Sequence, residues 1–509
     1  TSALATSALA TSALTISAAA SLLLWNVFCF FWADFVWPNS MIAVVAPYQP
    51  PAQEQEQEEE EEQKATSVEL FSDLVFVVAM HVVAEPLESA PALWDGKLVL
   101  LVYILRVFVL WWLWHATMMW TNLANLLFVG DDLRPSQHVV IFVIMGCVIT
   151  LSQAAKEDDH STVLTCYVIA RTVLTLAWRL EAAHPQPLEM SQDRYDFLMK
   201  ICRRAPLFTF VTELLPLSVA AWLLRGGELN AVGLIMWVGS HVLILACRTL
   251  TTSRIGAEAD ERARANYRNP FASGQIAERY ELIMLIVTGE IVFASAVPGP
   301  RAYSLEGFVV TCLCFLLYFK ARPESRELSF AIDGAAATQA PHVHFLLLCA
   351  LPGIGAGYAR LSHSAHAAGA TGSHARQLHG VDSSSCTAPT LLYGSASVFL
   401  IGSALVALMN RDGKHAECRY PRATRLAPRL VTGLIAAVLV LTHNCDGPTA
   451  ASAIPVLLAL PFAFEMWALG HDLWEWVAEW TSQAVRVSQG EEERHRHSRK
   501  HAARLRGFA

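Results

Sequence analysis

Apolar segments of membrane-spanning length recur along the chain between residues 68 and 470. A helix that crosses the hydrocarbon core of a bilayer needs about 20 predominantly apolar residues. Twelve segments approach that length, and the eleventh is the shortest. They lie at residues 68–84, 98–120, 138–155, 161–180, 206–224, 230–249, 279–297, 304–321, 342–359, 390–409, 430–443 and 453–470. The pattern predicts an all-α fold, a polytopic transmembrane helix bundle of about 12 helices.

The scarcity of charge excludes several classes of protein. Only 16% of the 509 residues are charged and 54% are hydrophobic, whereas about a quarter of an ordinary soluble chain is charged. A soluble enzyme with several polar-surfaced domains is therefore disfavoured. The chain also contains no basic domain suited to nucleic acid. We expect the lipid bilayer to be its main partner, and the sequence leaves its oligomeric state open.

The two ends differ from the apolar region. Residues 1–40 are low in complexity and begin with repeats of TSALA. The uncharged stretch 17–32 is either a signal segment or a thirteenth membrane helix, and both interpretations stay open. Residues 41–66 include seven glutamates and are predicted to form a disordered acidic linker. A membrane domain at 67–470 and a charged tail at 471–509 follow.

The distribution of basic residues predicts the orientation of the bundle. Lysine and arginine concentrate in the loops after even-numbered segments and are scarce in the loops after odd-numbered segments. Loops rich in these residues stay on the cytoplasmic side. The basic residues in the loops after even-numbered segments include Arg194, Lys200, Arg203, Arg204, Arg262, Arg264, Arg419 and Arg422. The acidic linker and the C-terminal tail are therefore expected to be cytoplasmic.

A few ionisable side chains lie inside the apolar segments, and such residues are functional candidates because charge in a bilayer is costly. Glu69 and Asp73 are four residues apart in the first segment and share one helix face. Glu290 lies deep in the seventh segment. We interpret these three carboxylates as ion-binding or proton-carrying groups. The alternative is that the first-segment carboxylates hold their helix against a basic partner.

Three arginines are candidates for the counter-charge. Arg106 and Arg171 lie inside the second and fourth segments, and we hypothesise that Asp73 pairs with one of them. Arg279 opens the seventh segment on nearly the same helix face as Glu290.

Two further patterns have two interpretations each. The second segment contains Trp111, Trp112, Trp114 and Trp120, which form either an aromatic belt at the membrane interface or a cation–π box. The ninth segment contains a proline and three glycines at residues 352–357. These residues indicate either a broken helix of the kind that forms transporter binding sites or close packing through small residues.

Motifs for nucleotide and hydrolase chemistry are missing from suitable contexts. The chain has no Walker loop, dinucleotide-binding fingerprint, zinc-protease motif or nucleophile elbow in such a context. ATP-driven transport therefore loses support, and we assign neither a cofactor nor a metal.

The stretch ELFSDLVFV at residues 69–77 resembles the signature of the low-temperature-requirement protein A (LtrA) family. The resemblance covers roughly residues 66–470 and implies a polytopic membrane protein. Its other landmarks are Asp131 and Asp132 with Arg134, Arg171 before Leu174 and Arg179, Glu278-Arg279-Tyr280 leading to Ile286-Val287-Thr288-Gly289-Glu290, Tyr318-Phe319, and His344. The chain departs from the family at Gln275, where a histidine is frequent, and at Ser72, which replaces an aromatic residue.

The leading functional interpretation is a gradient-driven, ion- or proton-coupled transporter or channel-like protein that moves an ion or small solute. Asp73, Glu69 and Glu290 would carry the ion, and the arginines would be switching counter-charges. A membrane-embedded enzyme or lipid-handling protein is one alternative, and it requires His81, His115 or His344 to converge with Asp73 or Glu290. A membrane signalling or scaffold protein is the second alternative. Enzymatic activity is not the leading expectation.

Overall fold

The structure is a computed structural model. It describes residues 66–89, 98–127, 134–181, 209–225, 230–244, 273–295, 301–320, 334–370, 387–409, 422–442 and 447–468, with isolated positions at 199, 203, 207 and 246. The predicted signal or thirteenth helix at 17–32, nearly all of the acidic linker and the charged tail lie outside the described residues. Every regular element in the described ranges is a helix.

Each of the twelve predicted apolar segments falls on one helix, which confirms the all-α polytopic fold. The helices are α1 (Ser67–Ser89), α2 (Val99–Leu127), α3 (Pro135–Lys156), α4 (His160–Glu181), α5 (Phe210–Leu223), α6 (Ala231–Ile244), α7 (Ser273–Ser295), α8 (Arg301–Phe315, continued by a π-helical turn at Leu316–Lys320), α9 (Gly334–Ala370), α10 (Thr387–Met409), α11 (Arg422–Leu441) and α12 (Gly447–Ala468).

Eight of these helices are long and apolar enough to cross a membrane: α1, α2, α3, α4, α8, α9, α10 and α12. Helices α5, α6 and α11 are apolar but shorter. Helix α7 is long enough, but it carries four charged residues, Glu278, Arg279, Glu281 and Glu290. It therefore departs from the composition of an ordinary membrane helix, and its charges require partners inside the bundle.

Helices α2 and α9 form the interior of the bundle. Helix α9 packs against α10, α7, α1, α2 and α8, and the membrane-length part of it is almost entirely buried. Helices α1 and α3 lie at the periphery, where large apolar side chains such as Phe71 and Phe142 are more than half exposed. Such faces suit contact with lipid.

The four tryptophans of α2 do not form an interfacial belt. Trp111, Trp112, Trp114 and Trp120 are each at most 2% exposed, whereas belt residues face lipid headgroups. The prediction of a belt is wrong because α2 is surrounded by other helices and its aromatic side chains fill the core.

Of the two interpretations of the ninth segment, the broken helix is wrong. Helix α9 continues through Pro341 and Pro352 from Gly334 to Ala370. The surroundings of its glycines support the other interpretation, close packing through small residues. A Cβ atom added to Gly355 would lie 3.0 Å from the Cβ of Ala294 and 3.4 Å from the Cα of Ile291 on α7. The two backbones thus approach closely beside Glu290, as small residues permit in membrane bundles.

Gly355→Val is expected to destabilise the protein by about 1–3 kcal/mol, because the backbone of α7 cannot move aside as a flexible side chain can. Reversible unfolding with dodecyl sulfate in mixed micelles measures the change. Gly146→Val is the matched control, since no atom lies within 4 Å of a Cβ built at Gly146. Equal stability of the two variants would contradict the close packing of α9 on α7.

Candidate functional site

The first turn of α1 fixes the position of Glu69. The backbone N–H of Thr66 donates to Oε2 of Glu69 at 2.8 Å, and the backbone N–H of Glu69 donates to Oγ1 of Thr66 at 3.3 Å. This reciprocal arrangement is a capping box, and the sequence Thr66-Ser67-Val68-Glu69 has the spacing it requires. Glu69 is fully buried, and Oε1 of the same carboxylate contacts Arg279 of α7.

Asp73, one turn further along α1, binds Arg279 of α7 through both carboxylate oxygens. Nη2 of Arg279 donates to Oδ1 of Asp73 at 2.5 Å, and Nε donates to Oδ2 at 3.1 Å. Oδ1 also accepts a hydrogen bond from Nε1 of Trp114 at 2.7 Å. All three side chains are at most 1% exposed. The paired fork geometry is the strongest that arginine offers to a carboxylate.

Arg279 joins the remaining members of this cluster. Its Nη1 donates to Oγ1 of Thr121 at 2.8 Å and lies 3.4 Å from Oε1 of Glu69. One guanidinium thus contacts two buried carboxylates on α1 and a hydroxyl on α2. Buried charges persist in a bundle only with such partners.

A second contact joins α1 to α7 closer to their C-terminal ends. Nδ1 of His81 and Oε1 of Glu290 form a hydrogen bond, which becomes an ion pair when the imidazole is protonated. The side chain of His81 is 49% exposed, whereas that of Glu290 is 10% exposed. We refer to Glu69, Asp73, His81, Arg279 and Glu290 together as the α1–α7 polar interface. It contains all three carboxylates that the sequence singled out.

The structure pairs Asp73 with Arg279, so the hypothesis that Asp73 pairs with Arg106 or Arg171 is wrong. Asp73 is the seventh residue of α1, and it contacts α2 at Trp114. Arg106 lies eight residues before Trp114, about 12 Å away along the helix, and its Nη2 instead contacts Asp158 Oδ1 at 3.1 Å.

Arg171 lies in a different interface, between α4 and α5. Its Nε and Nη2 donate to Oε2 of Glu213 at 2.8 and 2.6 Å, and the hydroxyl of Tyr167 donates to the same oxygen at 3.2 Å. Glu213 sits in the π-helical turn Phe210–Leu214 that opens α5. Such turns displace side chains from the regular helix face, which directs this carboxylate toward α4.

The aromatic residues beside the α1–α7 polar interface contact a set of histidines. The hydroxyl of Tyr280 lies 3.0 Å from Nδ1 of His115, and the Tyr280 ring centroid lies 4.6 Å from that of His344. Nε2 of His344 lies 2.8 Å from the hydroxyl of Tyr318. The structure therefore brings His115 and His344 to Tyr280, the residue after Arg279, while His81 contacts Glu290.

Two of the four remaining motif residues, Arg134 and Glu278, are among the described residues. Asp131 and Asp132 fall outside the described residues. Arg134 precedes α3, where its backbone N–H donates to Oε1 of Gln137 at 2.8 Å. Glu278 is exposed at the start of α7.

Sequence reasoning missed one buried ion pair. Nε and Nη2 of Arg429 on α11 donate to the two carboxylate oxygens of Glu465 on α12, and both residues are at most 3% exposed. The predicted eleventh segment begins at residue 430 and leaves Arg429 in a loop, whereas α11 begins at Arg422. A charged residue in each of two consecutive apolar helices is the signal that points to such a pair.

Comparison with known proteins identifies the family of this multi-pass membrane protein. No curated protein matches the chain. The model of one family, the bacterial low temperature requirement A protein (LtrA), matches residues 64–464. This range includes all twelve helices almost to the end of α12, together with the α1–α7 polar interface. The chain therefore belongs to the LtrA family of membrane proteins.

Proposed function

We propose that the protein is a gradient-driven, ion- or proton-coupled transporter or channel-like protein, with the α1–α7 polar interface as its ion-responsive element. The observation that carries this proposal is the position of Glu69, Asp73 and Glu290. All three lie between two membrane helices, and each contacts a basic side chain of the opposite helix. Ionisable groups in such positions mark ion and proton pathways.

The His81–Glu290 pair is the part of the interface suited to exchanging protons. His81 is half-exposed, so its imidazole has access to the surroundings, and Glu290 is nearly buried. Histidine and carboxylate side chains both change charge within accessible ranges of pH. Protonation of Glu290 removes the negative charge that attracts the protonated imidazole, and this contact between α1 and α7 then weakens.

The Asp73–Arg279 pair is suited to holding the helices together until the charge at the interface changes. Both side chains are fully buried, and the pair has two hydrogen bonds. A proton or cation that neutralises Asp73 or Glu69 deprives Arg279 of an anionic acceptor. The helices can then separate, which is the coupling between occupancy and conformation that transport requires.

The proposal includes an orientation. The loop charges favour a cytoplasmic location for the acidic linker before residue 67 and for the tail after residue 470. Helix α1 would then start at the cytoplasmic side. Asp73 and Arg279 would lie nearer the cytoplasm, and His81 and Glu290 nearer the opposite side.

Flux measurements in proteoliposomes test the proposal. A potassium diffusion potential drives proton uptake, which an entrapped pH dye records, and sodium and potassium uptake are measured separately as isotope fluxes. Glu290→Gln is expected to lower the flux of the conducted ion about tenfold or more, because the neutral amide can neither bind a proton nor attract protonated His81.

Glu306→Gln is the matched control. Glu306 is a partly buried carboxylate on α8 that contacts Ser452 of α12 at 3.4 Å, away from the α1–α7 polar interface. Its variant is expected to conduct like the unmodified protein. Two results would contradict the proposal: no flux of protons, sodium or potassium above that of protein-free liposomes, or an unchanged flux in Glu290→Gln.

A further inference from the structure

A second group of buried polar side chains lies where α2, α4 and α6 meet. Arg106 of α2 and His160 of α4 contact each other, with 3.1 Å between Nη2 of Arg106 and Nδ1 of His160. Trp237 and His241 are one turn apart on α6 and share one face. Arg106, Trp237 and His241 are each at most 2% exposed.

Three nitrogen atoms of this group have no hydrogen-bond partner in the described part of the chain: Nε of Arg106, Nε1 of Trp237 and Nδ1 of His241. Buried donors and acceptors in proteins are nearly always satisfied, and an exception calls for a bound molecule or a functional explanation. Here three exceptions occur in a single cluster. One of them belongs to a guanidinium, which remains charged under all ordinary conditions.

The contacts among these side chains close into a ring. His160 contacts Arg106, and its ring centroid lies 6.0 Å from that of Trp237. The Trp237 ring in turn lies 6.3 Å from that of His241. Nε2 of His241 lies 3.4 Å from the carbonyl oxygen of Leu105, the residue next to Arg106. Arg106, Trp237 and His241, which carry the three unsatisfied nitrogens, are therefore neighbours in the bundle.

Two carboxylates lie beside this ring of side chains, Asp158 and Glu213. Nη2 of Arg106 donates to Asp158, whose side chain is 51% exposed in the turn between α3 and α4. That turn gives the guanidinium a route to the aqueous end of the bundle. On the other side, His241 lies within electrostatic range of Glu213, the partner of Arg171.

We infer that Arg106, Trp237 and His241 form a binding site for a small monovalent anion between α2, α4 and α6. Nε–H of Arg106 and Nε1–H of Trp237 are both donors, and the guanidinium supplies the positive charge. Hydrogen bonds from such groups to an anion are stronger than those between neutral groups. This site uses other helices than the α1–α7 polar interface and does not depend on the function proposed for it.

Nδ1 of His241 would distinguish hydrogencarbonate, which can donate a hydrogen bond to it, from chloride, which cannot. If Nε2–H donates to the Leu105 carbonyl, Nδ1 carries a lone pair and accepts hydrogen bonds. Hydrogencarbonate satisfies all three nitrogens, because it accepts from the two donors and donates its O–H to Nδ1. Chloride accepts from the two donors and makes no use of the lone pair on His241.

Thermal unfolding of the full chain in lipid nanodiscs tests the site. The unfolding temperature is measured against rising sodium chloride or sodium hydrogencarbonate, with sodium gluconate keeping the ionic strength constant and with pH and scan rate held fixed. A ligand that binds the folded protein raises this temperature with its concentration. At least one of the two anions is expected to raise it more than gluconate does.

Trp237→Phe keeps the aromatic ring and removes the N–H, so it is expected to weaken anion binding about tenfold or more. Trp222→Phe is its matched control, because Trp222 on α5 is 63% exposed. The Trp222→Phe variant is expected to bind the anions like the unmodified protein. His241→Phe keeps the stacking on Phe108, whose ring centroid lies 4.0 Å away, and is expected to weaken hydrogencarbonate but not chloride.

Two outcomes would overturn the inference. In the first, neither anion raises the unfolding temperature of the unmodified protein beyond the effect of gluconate. In the second, Trp237→Phe responds to the anions as strongly as Trp222→Phe does, and the three nitrogens then bind water only.

Discussion

Replacing Arg279 by glutamine is expected to lower the free energy of unfolding by about 3–5 kcal/mol, because the change leaves buried carboxylates without their guanidinium. Asp73 loses both of its hydrogen bonds to the arginine, and Glu69 loses the contact with Nη1. Both carboxylates are fully buried, so water cannot replace the lost partner. Reversible unfolding with dodecyl sulfate in mixed micelles measures the loss.

Two further variants sharpen this measurement. Adding Asp73→Asn to Arg279→Gln removes one of the stranded charges, and the double variant is expected to recover part of the lost stability. Arg179→Gln is the control for loss of an arginine as such, because the side chain of Arg179 is exposed. A loss below about 1 kcal/mol in Arg279→Gln would show that the pair contributes no more than a surface ion pair.

Replacing Arg171 by methionine is expected to destabilise the protein by a similar 3–5 kcal/mol, since Glu213 is then buried without its basic partner. Combining Arg171→Met with Glu213→Leu is expected to restore most of that stability, because apolar side chains of similar volume replace a buried pair at little net cost. The same micelle titration measures both effects.

Ion flux distinguishes the two interfaces after stability has been restored. The Arg171→Met, Glu213→Leu double variant is expected to conduct within about twofold of the unmodified protein, because Arg171 and Glu213 join α4 to α5, outside the α1–α7 polar interface. The Asp73→Asn, Arg279→Gln double variant is expected to lose most of its flux, since a transport role requires the ionisable groups themselves. Equal flux in the two double variants would contradict the assignment of ion movement to α1 and α7.

The fold was predictable from the sequence because the bilayer imposes one requirement on every segment. A spanning helix must be about 20 residues long and mostly apolar; eight of the twelve helices meet this requirement in full, and the other four are apolar segments that are shorter or carry more charge. Helix ends were less predictable. Helix α9 runs from Gly334 to Ala370, and α11 begins at Arg422. Their polar ends extend beyond the apolar stretch, where hydrophobicity no longer reports the secondary structure.

The sequence singled out Asp73 and Arg279 as candidate residues, but it did not predict that they pair with each other. Asp73 is the seventh residue of α1, and Arg279 is the seventh residue of α7. Consecutive spans alternate in direction, so two odd-numbered helices start at the same side, and these two residues lie at equal depth. Arg106 is the eighth residue of α2, which starts at the opposite side. The predicted seventh segment begins at residue 279, however, so hydrophobicity alone leaves Arg279 at the end of its span, whereas Asp73 is the sixth residue of the first predicted segment.

Other features depended on packing that periodicity does not reveal. The tryptophans of α2 match an interfacial belt in composition, and only the enclosure of α2 by its neighbours shows that they are core residues. The unsatisfied nitrogens belong to two separate helices, Arg106 to α2 and Trp237 and His241 to α6. No spacing along the chain brings such residues together, because the distances between helices are set by side-chain packing across the bundle.

The spacing of the two contacts between α1 and α7 restricts how these helices can move against each other. Asp73 and His81 are eight residues apart, about 12 Å along α1, and both contact the same partner helix. A slide of α1 by one helical turn would break both contacts at once: in one direction it would bring Glu69 to Arg279, but it would bring Val77 instead of a basic side chain to Glu290. Small displacements therefore meet resistance at two depths, and a large one releases both. This geometry favours an all-or-none rearrangement of α1 over a graded one.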